Sequence, residues 1–312
     1  MGGGSRDRIL LVDSLRGLAV LLMLVHFLGD GSVSPLLSQG ACGLSCAYSL
    51  LVSRLAAPLF FTVAGYSLYL SGRKRIPSSG KTGFLGHVLR RVMYLMFLGF
   101  IVNFLRSVGL SHLNVLHTIG FSILLVSLVY VSGSRFAYPL TLAVLVLYSL
   151  ASPWLEANPH CLLDWIMASG EYPLGESMVY FMVGLGMGLY SHGLYVFSGR
   201  LAYAAHALLL SSLLLLLFYP LSFSVNSPPY LFFALASMTY LLLLLERSSR
   251  SSALLAVFGR HALQIYVTAH ALFIFAPSVA GVADAVNASG LALLFTGFLA
   301  GEYAFIRWFE AR

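Results

Sequence analysis

Three observations in this sequence predict an all-α polytopic membrane protein, a bundle of about ten transmembrane helices with both termini in the cytoplasm. The chain has 312 residues, 59% of them hydrophobic and 9% charged, with a mean hydropathy of +0.88, far outside the range of soluble globular domains. Apolar segments of about twenty residues recur along its whole length, each long enough to cross a ~30 Å hydrocarbon core as a helix. Lys and Arg keep to one set of connecting segments, as topology in a bilayer requires.

The spans lie at 9–28, 50–71, 86–106, 114–131, 135–153, 174–191, 200–218, 229–246, 253–275 and 289–309. They are continuously apolar rather than alternating, which excludes a β-barrel. With the N-terminus inside, Arg6, Arg8, Arg73, Lys74, Arg75, Lys81, Arg90, Arg91, Arg135, Arg200, Arg247, Arg250, Arg307 and Arg312 fall on or beside cytoplasmic ends. The alternate loops at 31–49, 154–173, 219–228 and 276–288 hold no Lys or Arg. The formal charge of +7 therefore faces an anionic leaflet or an anionic ligand, and nucleic acid is not an expected partner. One domain over 1–312 is expected, with residues 1–7 flexible and no cleavable signal peptide.

Span one carries Asp13 and Arg16 near one end and His26 near the other, with Asp30 just beyond. At ~100° per residue the four share an arc of about 140°, one half of the helix. Lipid cannot accept that face, so it looks into a bundle, a cavity or a site. Span two opens near Arg54, placed at the outer boundary, and contains Pro58 and Gly65, which permit a kink and close helix contact. The loop from Gly72 through Arg73, Lys74 and Arg75 to Lys81 is the most basic stretch; it is either a topology anchor or a phosphate-binding patch, and Arg90 and Arg91 at the start of span three extend it.

Asn114, His117 and Thr118 open span four on one side, near the depth of His26, so that two histidines can meet at the outer end of one cavity. The outer loop at 153–173 is the longest, a candidate lid or substrate surface. Gly184, Gly186 and Gly188 give span six the small residues of a packing helix. Spans seven and eight read as scaffold, with His206 deep in span seven. In span nine, Arg260, Gln264 and Thr268 form a stripe at four-residue spacing with His270 near the outer side, and Glu302 in the last span is available to pair with a buried arginine. Cys42, Cys46 and Cys161 lie in outer loops where one disulfide can form, its pairing open. No metal site is expected.

Taken together, RILLVDSLRGLAVLLM from Arg8 to Met23, followed by His26 and Asp30, resembles the opening of the transmembrane acyltransferases, and most closely the group of the heparan-alpha-glucosaminide N-acetyltransferase catalytic domain. PLFFTVAGYS from Pro58, LHTIG from Leu116 and GRHALQIY from Gly259 with His270 follow in the same order, and PLGES from Pro173 with GLGMG from Gly184 is a further match. The resemblance implies an enzyme that moves an acyl group, usually acetyl, from acyl-CoA on the cytoplasmic side to an acceptor on the other side, a glycan or a lipid-linked acceptor. It implies acetyl-CoA as donor, a multi-pass protein of the cell membrane, and leaves a homodimer open. His26 matches the catalytic histidine of such families, although Arg16 and His26 are ten residues apart where the family spacing is eleven, a rotation of about 100°. His117 is then the fallback.

On this view His26 is a general base or a transient acyl carrier, Asp30 orients its ring, and Asn114 and Arg54 donate to the oxyanion. Arg16, ~15 Å below His26, holds the pantetheine region or pairs with Asp13. Arg73, Lys74, Arg75, Arg90 and Arg91 hold the CoA phosphates, and Arg260 belongs with the cofactor-binding residues. The alternative from another class is a secondary transporter of five plus five helices, which would carry solute without consuming acyl-CoA.

Overall fold

A computed structural model describes residues 3–28, 55–105, 113–133, 143, 147, 174–190, 198–218, 228–247, 252–272 and 288–310. Asp30, Arg54, the three cysteines and nearly all of the fifth expected span lie outside them. The described elements are α-helices: α1 (Gly3–Leu28), α2 (Ala56–Leu105), α3 (Val115–Ser132), α4 (Leu174–Tyr190), α5 (Ser198–Phe218), α6 (Pro228–Arg247), α7 (Ser252–Arg260), α8 (Ala262–His270) and α9 (Ala288–Glu310). Among these residues two helices, α2 and α3, are long and apolar enough to cross a membrane. The first helix starts at Gly3, inside the stretch expected to be flexible.

Tertiary contacts fall into two compact units. One holds Met1–Ala56, Phe104–Val108 and Leu245–Arg312; the other holds Ala57–Asn103 and Gly109–Leu244. In the first, α1 packs on α7 and α8 through a close approach of backbones. A Cβ at Gly17 would strike the Leu255 carbonyl, and one at Gly259 would strike the Asp13 carbonyl. Only residues without a side chain let two helix axes come so near.

In the second unit α2 is a helical hairpin. Gly72 and Phe84 both lie on the ring of Tyr130: a Cβ at Gly72 would meet it, and the Phe84 and Tyr130 centroids are 6.0 Å apart. In a straight helix those two positions would be ~18 Å apart, so the chain reverses between them. It does so at Gly80, with φ 70 and ψ 176, a conformation open essentially to glycine alone. The basic segment expected as a loop is therefore helical nearly to its turn. Two hydroxyls help to end the first half, because Ser78 donates to the Arg75 carbonyl at 3.1 Å and Ser79 to the same carbonyl at 2.9 Å, occupying an acceptor that the helix end leaves open.

Beyond the turn, Gly99 lies against His117 and Gly120 against Met96, so the second half of α2 runs antiparallel to α3. Its first half runs parallel to α4: Gly65 meets the Phe181 carbonyl, Gly184 meets the Thr62 carbonyl, and Gly188 meets Tyr69. The packing roles expected for Gly65, Gly184 and Gly188 are those observed. A second departure concerns span nine, which is two helices rather than one. The chain breaks at His261 (φ −106, ψ 18), just after Gly259, although the amide of Ile265 still donates to the His261 carbonyl at 3.0 Å.

Candidate functional site

Two polar clusters stand out, one in each unit. In the unit built on α1, Arg16 Nη1 donates to Asp13 Oδ1 at 3.0 Å. Of the two roles expected for Arg16, this geometry shows the pairing with Asp13. Arg260 also lies within electrostatic reach of the Asp13 carboxyl. The glycine crossing explains the grouping, because Arg16 precedes Gly17 and Arg260 follows Gly259 at the point where the two backbones meet. Two guanidiniums thus lie near one carboxylate, and Arg16 is the one in hydrogen-bond contact with it.

Further along the same unit, Thr268 Oγ1 donates to Glu302 Oε1 at 2.8 Å and also lies 3.0 Å from the Gln264 carbonyl. Glu302, expected to pair with an arginine, has a threonine as its described partner, and its buried Oε2 makes no hydrogen bond among the described residues. His270 is 1% exposed. Its Nδ1 lies 2.9 Å from the Tyr266 carbonyl, an acceptor only, so Nδ1 carries a proton and Nε2 is the basic side of the neutral ring. Tyr266 packs on that ring at 4.3 Å between centroids, and the helix widens into a π turn at 271–272, a distortion frequent at functional sites. In the sequence His270 stands out only by its place near a polar stripe. His26 lies on α1 in this same unit.

The second cluster closes the start of α3. Asn114 is its N-cap: Oδ1 accepts from the amides of Leu116 at 3.0 Å and His117 at 3.2 Å. Nδ2 donates to the Gly99 carbonyl at 2.8 Å and to Asn103 Oδ1 at 2.7 Å. All four hydrogen-bonding positions of the amide are engaged. Asn114, expected to donate to the oxyanion, here has both amide protons engaged while its oxygen caps the helix. His117 completes a capping box: its Nδ1 accepts from the Asn114 amide at 3.4 Å, which leaves the proton of the neutral ring on Nε2. In that tautomer the buried Nε2 is a donor. Asn103, fully buried, was legible only as a lone amide in an apolar run.

Arg73, Lys74, Arg75, Arg90 and Arg91 are all exposed at the turn end of the hairpin, in the unit that does not contain Arg16, Arg260 or His26. Among the described residues no group of three or more His, Cys, Asp or Glu side chains is placed to hold a metal.

The described helices, two of them long and apolar enough to cross a membrane, and the charged crossing on α1 define an all-helical class. The family model described as heparan-alpha-glucosaminide N-acetyltransferase, catalytic, matches residues 8–205, and the chain belongs to that family. No curated protein matches the sequence. The matched stretch runs from α1 into α5, so α7 and α8, which build the charged crossing with α1, lie beyond it.

Proposed function

We propose that this protein is a membrane-embedded acetyltransferase that moves an acetyl group from cytoplasmic acetyl-CoA to an amine or hydroxyl of a glycan on the opposite side of the cell membrane. The family match carries the reading, and the charged crossing on α1 supports it. The ten-helix topology with both ends inside accommodates what is described: the hairpin of α2, the antiparallel pairing of α2 with α3, and the parallel pairing of its first half with α4 each follow from alternating spans.

His26 acts as the base, with Asp30 one turn further to orient it. As the acceptor nitrogen or oxygen attacks the thioester carbonyl, the imidazole takes its proton. The carbon–sulfur bond then breaks and the leaving thiolate recovers a proton from the imidazolium, giving CoA thiol and the acetylated acceptor. Arg54, near the outer boundary, donates to the oxyanion. Arg16 and Arg260, the two cations at the crossing, hold an anionic part of CoA. His270, with Nε2 as its basic side, is a second imidazole in the same unit. The basic end of the α2 hairpin is left to a different role, argued below.

The test is turnover by the purified protein with acetyl-CoA and a glucosaminide acceptor, read as thiol release. His26→Ala should lower kcat by about 10²–10⁴-fold while the melting temperature stays within a few degrees. Full turnover in that variant would refute the assignment.

A further inference from the structure

We propose that the turn end of the α2 hairpin is a docking surface for anionic phospholipid headgroups. The proposal rests on the membrane-embedded reading but not on the chemistry assigned above. Its first support is charge. Arg73, Lys74, Arg75, Lys81, Arg90 and Arg91 are exposed around the reversal at Gly80, and neither α2 nor α3 contains an Asp or Glu. No acidic side chain lies on the hairpin or on the helix antiparallel to its second half, so these two helices present a purely cationic end to anions from outside them.

The second support is what the charged end leads into. Leu89, Met93, Phe97, Phe100 and Phe104 are exposed at spacings of four, four, three and four, one continuous stripe along the second half of α2. The opposite stripe, Phe84, Val88, Val92, Leu95 and Val102, is buried. A helix that is apolar on its outward face as well as its inward one does not meet water there. On α3, Phe121, Leu125 and Leu128 are exposed in the same manner. Acyl chains cover the aromatic and aliphatic stripe, and the headgroups of those same lipids reach Arg90, Arg91 and the cations of the turn. An anionic lipid meets both features in one molecule, with its chains along the stripe and its headgroup at the cations.

Third, the backbone itself holds the cations outward. A Cβ at Gly80 would meet nothing within 4 Å, so the turn is open space and its glycine is required for φ alone. The helix on the near side continues past Tyr130 to Ser79, carrying Arg73, Lys74 and Arg75 beyond the last packed ring.

The experiment uses the full chain in nanodiscs of phosphatidylcholine alone or mixed with phosphatidylglycerol, with the melting temperature as readout. A ligand of the folded state raises it in proportion to saturation. Phosphatidylglycerol should raise the wild-type value by roughly 5 °C, less at high salt, and the gain should vanish in the variant R73Q/K74Q/R75Q/K81Q. The charge-conserving R73K/R75K should keep it, which guards against a turn that simply fails to fold. An equal gain in the quadruple glutamine variant, or none in the wild type, would overturn the proposal. So would an equal gain from inorganic phosphate or acetyl-CoA in phosphatidylcholine discs, which would assign the cations to a soluble anion.

Discussion

Asn114 and Asp13 are both buried polar side chains at the edge of an apolar run, and each is held by close neighbours, yet they do opposite things. Around Asn114 every donor and acceptor of the amide has a protein partner, and the result is a closed helix start. Around Asp13 one guanidinium pairs with the carboxylate and a second lies within electrostatic reach, and the result is a charged group rather than a helix cap. A buried polar group that is fully matched serves the fold, because its hydrogen bonds answer needs of the backbone itself. Ionised side chains at a helix crossing answer no need of the backbone and are candidates for a functional role. The difference separates a cap from a candidate binding site where residue type alone does not.

Three substitutions would break or sharpen that contrast. Gly259→Ala drives a methyl into the Asp13 carbonyl, a backbone atom that cannot turn aside. Overpacking of this kind costs about 3 kcal/mol. The melting temperature should fall by roughly 10 °C, with turnover lost in step because the charged crossing is displaced; an unchanged melting curve would show that α1 and α7 are not held at this point. Asn114→Ala removes the cap and leaves the Gly99 carbonyl and the Asn103 amide short of a donor, about 2 kcal/mol. Chemical denaturation should detect that loss while kcat for the folded fraction stays at the wild-type value, and a kcat defect would return Asn114 to the active site. Arg16→Gln removes the ion pair with Asp13 and one cation of the crossing. The KM for acetyl-CoA should rise about tenfold, ~1.4 kcal/mol, with a smaller change in kcat; steady-state kinetics showing no change in KM would place the CoA anion elsewhere.

How much was legible beforehand differs from element to element. Helix positions were readable because a run of apolar residues of membrane length has few other fates. The packing roles of Gly65 and Gly184 were readable for the same reason, since small residues inside such runs have few uses besides close approach. The family followed from the order of short blocks beginning at Arg8. The capping role of Asn114 was not read, although Asn before an apolar run with a side chain three residues on that can reach back is a cap signature; its nearness to His117 suggested chemistry instead. The tautomers of His117 and His270 depend on whether Nδ1 meets an amide proton or a carbonyl oxygen, which spacing along a chain does not encode.

By itself, then, the sequence determined that the chain is built of apolar helices, where most of them begin and end, and to which family it belongs. Those properties are local or additive: hydropathy over twenty residues, turn and cap chemistry, and the order of motifs. Only the tertiary structure decided that α2 doubles back on the ring of Tyr130, that Gly17 and Gly259 bring Arg260 within electrostatic reach of the Arg16–Asp13 pair, and that one histidine closes a helix while another presents a basic nitrogen. Such pairings join residues up to a few hundred positions apart, and their energy lies in the approach of particular atoms rather than in the composition of any segment.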